Sequence, residues 1–197
     1  MGKLIYIANV SLDGYVEDAQ GNFDWTAPSD EVFAFITDLV RPVGAYLYGR
    51  RMYETMAVWE ADPSLGAQSE LMREFANVWR RADKVVYSTT LVAVSTTKTR
   101  LERHFSSDAV GAMKAAARSD LTVGGAALAA HAFSAGLVDE CHLFVYPALI
   151  GGGKPALPTD VRAELTLLEE RRFADGVIYL RYRIDNPPAP QPTVAIA

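Results

Sequence analysis

The stretch Leu121-Thr122-Val123-Gly124-Gly125-Ala126-Ala127-Leu128 decides the reading of this chain. It predicts a buried strand, a glycine pair and the start of a helix. Adjacent glycines at the carboxyl end of a strand let the backbone turn tightly and let a ligand approach with no Cβ in the way. The following helix aims its free N–H groups and positive dipole end back at that gap, an arrangement suited to a phosphate. Tight packing alone also asks for a Gly-Gly turn, so the argument needs a second instance. Downstream, Gly136-Leu137-Val138-Asp139-Glu140 reads as a helix stop, and Leu143-Phe144-Val145-Tyr146-Pro147 as another buried strand.

The second instance lies upstream, where the short apolar strand Ala45-Tyr46-Leu47-Tyr48 runs into Gly49-Arg50-Arg51-Met52-Tyr53-Glu54-Thr55-Met56. Cations in a first helical turn oppose the helix dipole, so they need another reason to be there. An anionic ligand is one reason, and an ion pair with Glu54 or another nearby acid is the alternative. A third strand, Lys84-Val85-Val86-Tyr87-Ser88, ends in the hydroxyl run Ser88-Thr89-Thr90. Side by side in a parallel sheet, these ends form one phosphate-rich groove, and open α/β sheets bind ligands at the carboxyl ends of their strands.

Composition narrows the class. A chain of 197 residues at 50% hydrophobic is long enough for one substantial core. The net charge of −5 argues against a nucleic-acid partner, which calls for a clustered positive surface. Arg80-Arg81 and Arg171-Arg172 are too isolated for a basic stripe. The single cysteine, Cys141, excludes an internal disulfide and reads as a buried structural thiol alternating with Leu143 and Val145. His104, His131 and His142 have no ligand spacing, so no metal is expected. No run approaches the roughly 18 apolar residues of a membrane span, and the first residues enter a strand with no export-signal pattern. The expected location is the cytoplasm.

Strands are expected at Leu4–Val10 and Lys98–Arg103. A helix begins after Pro28 with Ser29 as N-cap and Val32, Phe33, Phe35, Ile36, Leu39 and Val40 as its buried stripe, ending at Pro42. Further helices are expected over Gln68–Arg81 and Ala109–Arg118. Two last strands, Glu164–Phe173 and Val177–Ile184, turn at Asp175-Gly176, a dipeptide suited to a hairpin. The whole is one domain over residues 1–185, followed by a Pro-rich disordered tail at 186–197. Gly151-Gly152-Gly153-Lys154 is neither a phosphate loop, given Ala148 and Pro155, nor a dinucleotide fingerprint, given Ala156. It reads as a flexible connection.

In order and spacing the chain resembles the dihydrofolate reductase-like fold, and more closely its branch related to the reductase domain of riboflavin biosynthesis. The matching pieces are Ser11-Leu12-Asp13-Gly14-Tyr15-Val16, Asp24-Trp25, Gly49-Arg50-Arg51-Met52-Tyr53-Glu54, Val123-Gly124-Gly125, Gly136-Leu137-Val138-Asp139-Glu140 and Pro147-Ala148-Leu149-Ile150-Gly151-Gly152-Gly153-Lys154-Pro155. The resemblance runs from about Lys3 to Ile184. It implies a three-layer α/β fold around a mixed, mostly parallel sheet with a C-terminal antiparallel hairpin, and pairing as a homodimer through the sheets near Leu143 to Ala148.

It also implies hydride transfer from NADPH to a small heterocycle of pterin or riboflavin-pathway pyrimidine type, the cofactor supplying the chemistry and the protein the positions. Carried over, Ala8 presents backbone to the nicotinamide carboxamide and Val16 packs near its ring. Gly49, Arg50 and Arg51 hold phosphates, Ser88 and Thr89 serve the ribose 2′-phosphate, and Gly124, Gly125, Ala126, Ala127 and Leu128 receive the pyrophosphate. Met52 departs from the family's usual threonine, losing a hydrogen bond of roughly 0.5–1.5 kcal/mol. On the substrate side, Asp30 matches the carboxylate that orients the heterocycle and helps deliver a proton, with Glu31 its neighbour and Asp13 a second candidate. Asn9 and Trp25 line the pocket, Trp25 by stacking. Acids in a first helical turn are also ordinary dipole partners, and Asp-Gly an ordinary turn. The alternative is a non-catalytic nucleotide-binding module on the same fold, with Met52 marking a decayed cofactor site.

Overall fold

In the computed structural model, which describes residues 1–185, the first strand β1 (Leu4–Ser11) sits near the middle of the main sheet and is buried along nearly its whole length. The expected tail at 186–197 lies outside the described residues. The chain continues as β2 (Tyr15–Glu17), a 3-10 turn (Asp24–Thr26), α1 (Asp30–Val40), β3 (Ala45–Gly49), α2 (Arg50–Ala61), α3 (Pro63–Gln68) and α4 (Glu70–Arg81). Then come β4 (Asp83–Tyr87), β5 (Thr99–Glu102), α5 (Ser107–Ala116), β6 (Leu121–Gly124), α6 (Ala126–Ser134), β7 (Glu140–Tyr146), β8 (Lys154–Pro155), β9 (Leu165–Arg172) and β10 (Ile178–Ile184). The main sheet has eight strands in the order β5-β4-β3-β6-β1-β7-β10-β9, and β2 pairs with β8 in a small separate ribbon. From β5 to β7 every pairing is parallel, while β10 joins β7 and β9 antiparallel. The sheet is therefore mixed and mostly parallel, closed by the hairpin that Asp175-Gly176 announces, with Gly176 at φ 90°.

Helices cover both faces. On one, α5 and α6 pack Val110, Leu128, Ala129, Ala132 and Phe133 against Leu4, Tyr6, Leu47 and Val85. On the other, α1, α2 and α4 supply Val40, Tyr53, Phe75 and Trp79 over Tyr46, Tyr48 and Val86, while Val32 meets Phe144, Tyr146 and Tyr179. This is the three-layer dihydrofolate reductase-like arrangement that the sequence implies. Ser29 caps α1 as expected, its hydroxyl accepting from Val32 N–H. Trp79 is wholly buried and donates its indole N–H to the Tyr48 hydroxyl at 3.2 Å. Truncating it to alanine removes that bond and leaves a cavity, at about 3–5 kcal/mol.

Two expectations need correction. The helix expected over Gln68–Arg81 is broken at Ser69, whose hydroxyl caps α4 by accepting from Met72 N–H, and residues 63–68 form a separate short helix opened by Pro63. The strand near Leu143–Ala148 lies inside the sheet, with β1 on one side and β10 and then β9 on the other, so it is not an edge through which copies could pair.

Candidate active site

The glycine turns of β3 and β6 meet side by side, because the two strands are neighbours and Tyr48 stands opposite Gly124. The two glycines of the pair are needed for different reasons. A Cβ on Gly124 would fall 2.9 Å from the Tyr48 ring, so this glycine answers to packing. Gly125 holds φ +95°, and a Cβ there would sit 3.9 Å from the Gly49 nitrogen. Gly125 is also the N-cap of α6 and offers no side-chain cap. Ala129 N–H returns to Gly125 O at 2.9 Å, leaving the N–H groups of Ala126, Ala127 and Leu128 as the helix's open donors. The Leu128 side chain is 6% exposed in the core, so only its backbone can serve a ligand. A cavity of about 210 Å³ lies against this helix start, lined by Ala126, Ala127, Ala130, Lys154, Pro155 and Asp160 among others.

The arginines stand where the sequence puts them, and each has a partner. Arg50 Nε donates to Glu54 at 2.8 Å and its Nη1 to Thr90 Oγ1 at 3.0 Å. Arg51 donates to Glu17 at 2.8 Å, and Lys154 approaches the same carboxylate at 3.7 Å. The ion-pair alternative is thus realised for both. The Arg50–Glu54 pair, half-exposed on both sides, is worth about 0–1 kcal/mol. The Ser88 hydroxyl is committed, accepting from Thr90 N–H at 3.2 Å and Leu91 N–H at 2.9 Å, whereas exposed Thr89 makes no hydrogen bond among the described residues. Met52 lies against the glycine pair, its Cβ 3.6 Å from where a Cβ on Gly125 would be.

On the α1 side a second cavity of about 210 Å³ is lined by Trp25, Ala27, Tyr146, Pro147, Asp175 and Val177 among others. The Trp25 Nε1 and the Tyr146 hydroxyl are both shut away from solvent without a hydrogen-bond partner among the described residues. The two rings meet edge to face at 6.0 Å. Burial, reinforced by the Asp175 carboxylate, pushes the Tyr146 hydroxyl up to about 12, so it stays a neutral donor. Asp175 is held ionised below the ordinary carboxylate range by hydrogen bonds led by that from the Ser29 hydroxyl.

The remaining expected residues separate. Asp30 opens α1, is exposed, makes no hydrogen bond or ion pair among the described residues, and lines neither cavity. Glu31 beside it is engaged by Arg171 at 3.0 Å. Asp13 accepts from the Ser11 hydroxyl, from Ile150 N–H at 3.0 Å and from Gly151 N–H at 2.7 Å, contacts that hold its carboxyl low. On β1, Ala8 faces the α6 layer, while Asn9, half-buried on the opposite face, makes no side-chain hydrogen bond among the described residues. Val16 packs against the α6-side core from β2. Tyr146, Asp175 and Lys154 were missed from the sequence. Among the described residues no group of His, Cys, Asp and Glu could hold a metal ion, and no helix is long and apolar enough to cross a membrane.

A match to the RibD C-terminal domain spans residues 2–179. The chain belongs to the RibD C-terminal domain family. It is 24% identical over 181 residues to the uncharacterised protein YyaP of Bacillus subtilis, covering 91% of this chain and 94% of that one. Among solved structures, a candidate riboflavin biosynthesis protein from Shewanella sp. PV-4 superposes with a TM-score of 0.72 at 20% identity, over 93% of this chain and 99% of the other. A pyrimidine reductase-like protein from Corynebacterium diphtheriae gives 0.62 at 16% identity, covering 94% and 92%. A diaminohydroxyphosphoribosylaminopyrimidine deaminase/5-amino-6-(5-phosphoribosylamino)uracil reductase from Thermotoga maritima gives 0.61 at 16% identity, over 93% of this chain but 57% of its own. These likenesses establish a shared fold.

Proposed function

We propose that this member of the RibD C-terminal domain family is an NADPH-dependent reductase that transfers hydride to a C=N bond of a small flat heterocycle, of pterin or riboflavin-pathway pyrimidine type. The observation that carries the reading is the uncapped start of α6 at Gly125, with Gly49 backed against it and Lys154 beside it. Open N–H donors, a close backbone approach and nearby cations are a donor set that fits a dinucleotide pyrophosphate. The N–H groups of Ala126, Ala127 and Leu128 would hold that pyrophosphate, with Arg50 and Arg51 exchanging Glu54 and Glu17 for phosphate oxygens. Ala8 backbone and Val16 would flank the nicotinamide, and Thr89 would serve the 2′-phosphate. Bound there, NADPH supplies the hydride.

The Trp25–Tyr146 cavity suits the acceptor. An indole N–H and a neutral hydroxyl without partners are each costly to bury, by about 1–3 kcal/mol, and a ring carbonyl or ring nitrogen relieves that cost. Asn9 on the adjoining face of β1 offers a further amide. A nitrogen that has lost its double bond must gain a proton, and Asp30, exposed at the start of α1 and outside the lining of this cavity, would supply it through a water. The family membership, and the reductase name of the Thermotoga maritima protein, support the same class.

Met52 against the glycine pair favours a second reading, a nucleotide-binding module without turnover. One experiment separates the two. NADPH and NADH are titrated against the protein by quenching of Trp25, Trp59 and Trp79, and NADPH oxidation is then followed with pterin and aminopyrimidine acceptors. Saturable NADPH binding with acceptor-dependent oxidation is expected. Binding without oxidation across the acceptors selects the module, and no dinucleotide binding removes both.

A further inference from the structure

We propose that the Trp25–Tyr146 cavity selects a flat ring that carries no phosphate group, and that Asp175 sets this preference through its charge. That the ring is the hydride acceptor rests on the reductase reading above; the selection by charge does not.

Trp25, Tyr146 and Asp175 are the polar members of the cavity's lining, and they differ in what they leave open. Trp25 Nε1 and the Tyr146 hydroxyl are donors without partners among the described residues, so both ask for acceptor atoms on a ligand. Asp175 is in the opposite position. Its carboxylate accepts from the Ser29 hydroxyl and from Val177 N–H at 3.1 Å, so the β9–β10 turn and the cap of α1 both fix it in place. Its hydrogen bonds are spent on the fold, but its negative charge is not. No cation lines the cavity among the described residues.

The surroundings add to that charge rather than offset it. Asp24 precedes Trp25 in the 3-10 turn, and Asp30 follows Ser29, the residue that holds Asp175. The positive end of α1, an attraction for any anion there, already has Asp30 and Glu31 in its own first turn. Arg171 is taken by Glu31 at 3.0 Å and lies over the Phe35 and Phe173 rings at 5.0 and 4.8 Å. The sequence of residues 186–197 holds no Lys, Arg or His. The rim is apolar instead. Leu12 donates its N–H to Ala148 O at 2.9 Å, and Leu12 and Leu149 beside this link are both exposed. A phosphate monoester carries a charge close to −2. On a ring seated against Trp25 and Tyr146 it would meet fixed like charge with nothing to neutralise it. The uracil in the name of the Thermotoga maritima protein bears a phosphoribosyl group; a ring of that kind without the phosphate, or a pterin, suits the charge of this cavity.

The test uses the full chain and two ligands that differ only in phosphate, 5-amino-6-ribosylaminouracil and its 5′-phosphate, with a pterin as a third. Dissociation constants are measured by tryptophan quenching, with and without NADPH, for the parent and Asp175→Asn at low and high salt, with thermal unfolding of both proteins. The parent is expected to bind the unphosphorylated uracil about ten-fold or more tightly than its phosphate, as like-charge contact predicts. High salt should narrow that ratio in the parent by strengthening the phosphate compound alone, a reading that needs no variant. Asp175→Asn should narrow it at low salt. Equal or tighter binding of the phosphate compound by the parent would overturn the proposal. So would a preference that neither salt nor Asp175→Asn narrows, which would mean exclusion by shape. A ratio narrowed by salt but not by Asp175→Asn would overturn the part given to Asp175. NADPH oxidation with the phosphate compound preferred would overturn the proposal while sparing the reductase. The expected preference with no NADPH oxidation would uphold the selection by charge and remove the reductase reading. Binding of none of the three rings would overturn the proposal outright.

Discussion

The Asp13 carboxylate holds Gly151 N–H at 2.7 Å across 138 residues of sequence. With Ile150 N–H and the Ser11 hydroxyl as further donors, its oxygens are spent on fixing the loop that leads to Lys154. Asp13→Ala should therefore loosen that loop, lowering the thermal midpoint and weakening dinucleotide binding by about ten-fold at most, the size of one or two lost hydrogen bonds. The pH profile of kcat should keep its shape. A kcat profile that loses its acid limb in this variant would return Asp13 to the chemistry.

Asp30→Asn keeps the side chain's shape and removes its charge. It should lower kcat by about 100-fold or more, the usual scale of an acid–base contribution, with NADPH affinity and thermal stability held. Asp175→Asn is the control, because Asp175 lines the cavity but is bound to Ser29 and Val177. That variant should unsettle the start of α1 and spare the pH dependence of kcat. If Asp175→Asn abolishes turnover while Asp30→Asn does not, the proton role passes to Asp175; full activity in both leaves it to water alone.

Tyr146→Phe offers a test that separates stability from binding. The hydroxyl is buried without a partner among the described residues, so removing it should leave the unliganded protein as stable or about 1 kcal/mol more stable. The KM for the heterocycle should rise by about ten-fold, the loss of one buried hydrogen bond. Thermal unfolding without ligand and steady-state kinetics give the two readings. A destabilised variant with unchanged KM would show that the hydroxyl serves the fold.

Acid sensitivity follows from a buried cluster at the other end of β7. Glu140, 3% exposed, accepts from Lys3, from Arg181 at 2.8 Å and from His142 at 3.1 Å, and Tyr179 donates to the remaining His142 nitrogen at 3.0 Å. Burial alone would raise the Glu140 carboxyl, but these donors outweigh it and hold it at about 2, below its ordinary 4.5. Its stabilisation is fully present above pH 4.5 and is lost as pH falls toward about 2. His142 is depressed below 6.5, chiefly by burial, so the unfolded chain takes up its proton first and stability starts to fall below pH 6.5. Urea midpoints measured from neutral pH downward should fall in two stages. Glu140→Gln should remove the lower stage and cost about 3–5 kcal/mol at neutral pH, as breaking a buried charge pair does.

The homodimer, still an expectation, now has a different address. β9 is the outer strand, exposed at every residue, with Leu165, Leu167 and Leu168 at 46%, 44% and 41% exposure. The pairing of β9 with β10 shifts register at Leu168, and such a bulge discourages simple ladder extension. Packing of the leucines around a two-fold axis is favoured instead, an axis that also lets Glu169-Glu170 of one copy face Arg171-Arg172 of the other. Light scattering should give twice 21.5 kDa at micromolar concentration and 21.5 kDa for Leu167→Glu/Leu168→Glu. A dimer that survives both substitutions would relocate the interface.

Local sequence carried much of the fold and less of the site. Gly124-Gly125, Asp175-Gly176 and the Ser29 cap each dictate their geometry within a few residues, so they read correctly. Ser69 was overlooked because the apolar spacing of Leu71, Phe75 and Val78 continues past it without revealing the cap. The site depends on meetings between distant segments. Asp13 looks like a simple turn residue until the loop at Ile150 and Gly151 folds over it, and the Ser88 hydroxyl looks available until its own turn closes on it. Tyr146 carried a readable signal, a polar tip at the carboxyl end of an apolar strand, but only Trp25 opposite shows that the tip is unpartnered. Lys154 read only as the end of a flexible glycine connection; its place comes from the β2–β8 ribbon.

The central position of β1 also governs how the chain assembles. Lys3 bonds Asp120 across 117 residues and Leu4 bonds Asp139 across 135, and both neighbours of β1 come from the far half of the chain. During synthesis this apolar strand emerges early and has no sheet partner until β6 and β7 have left the ribosome. Such distant pairings fold slowly and leave sticky intermediates. Expression at reduced temperature or with added chaperone should thus raise the soluble yield more than any substitution on the surface.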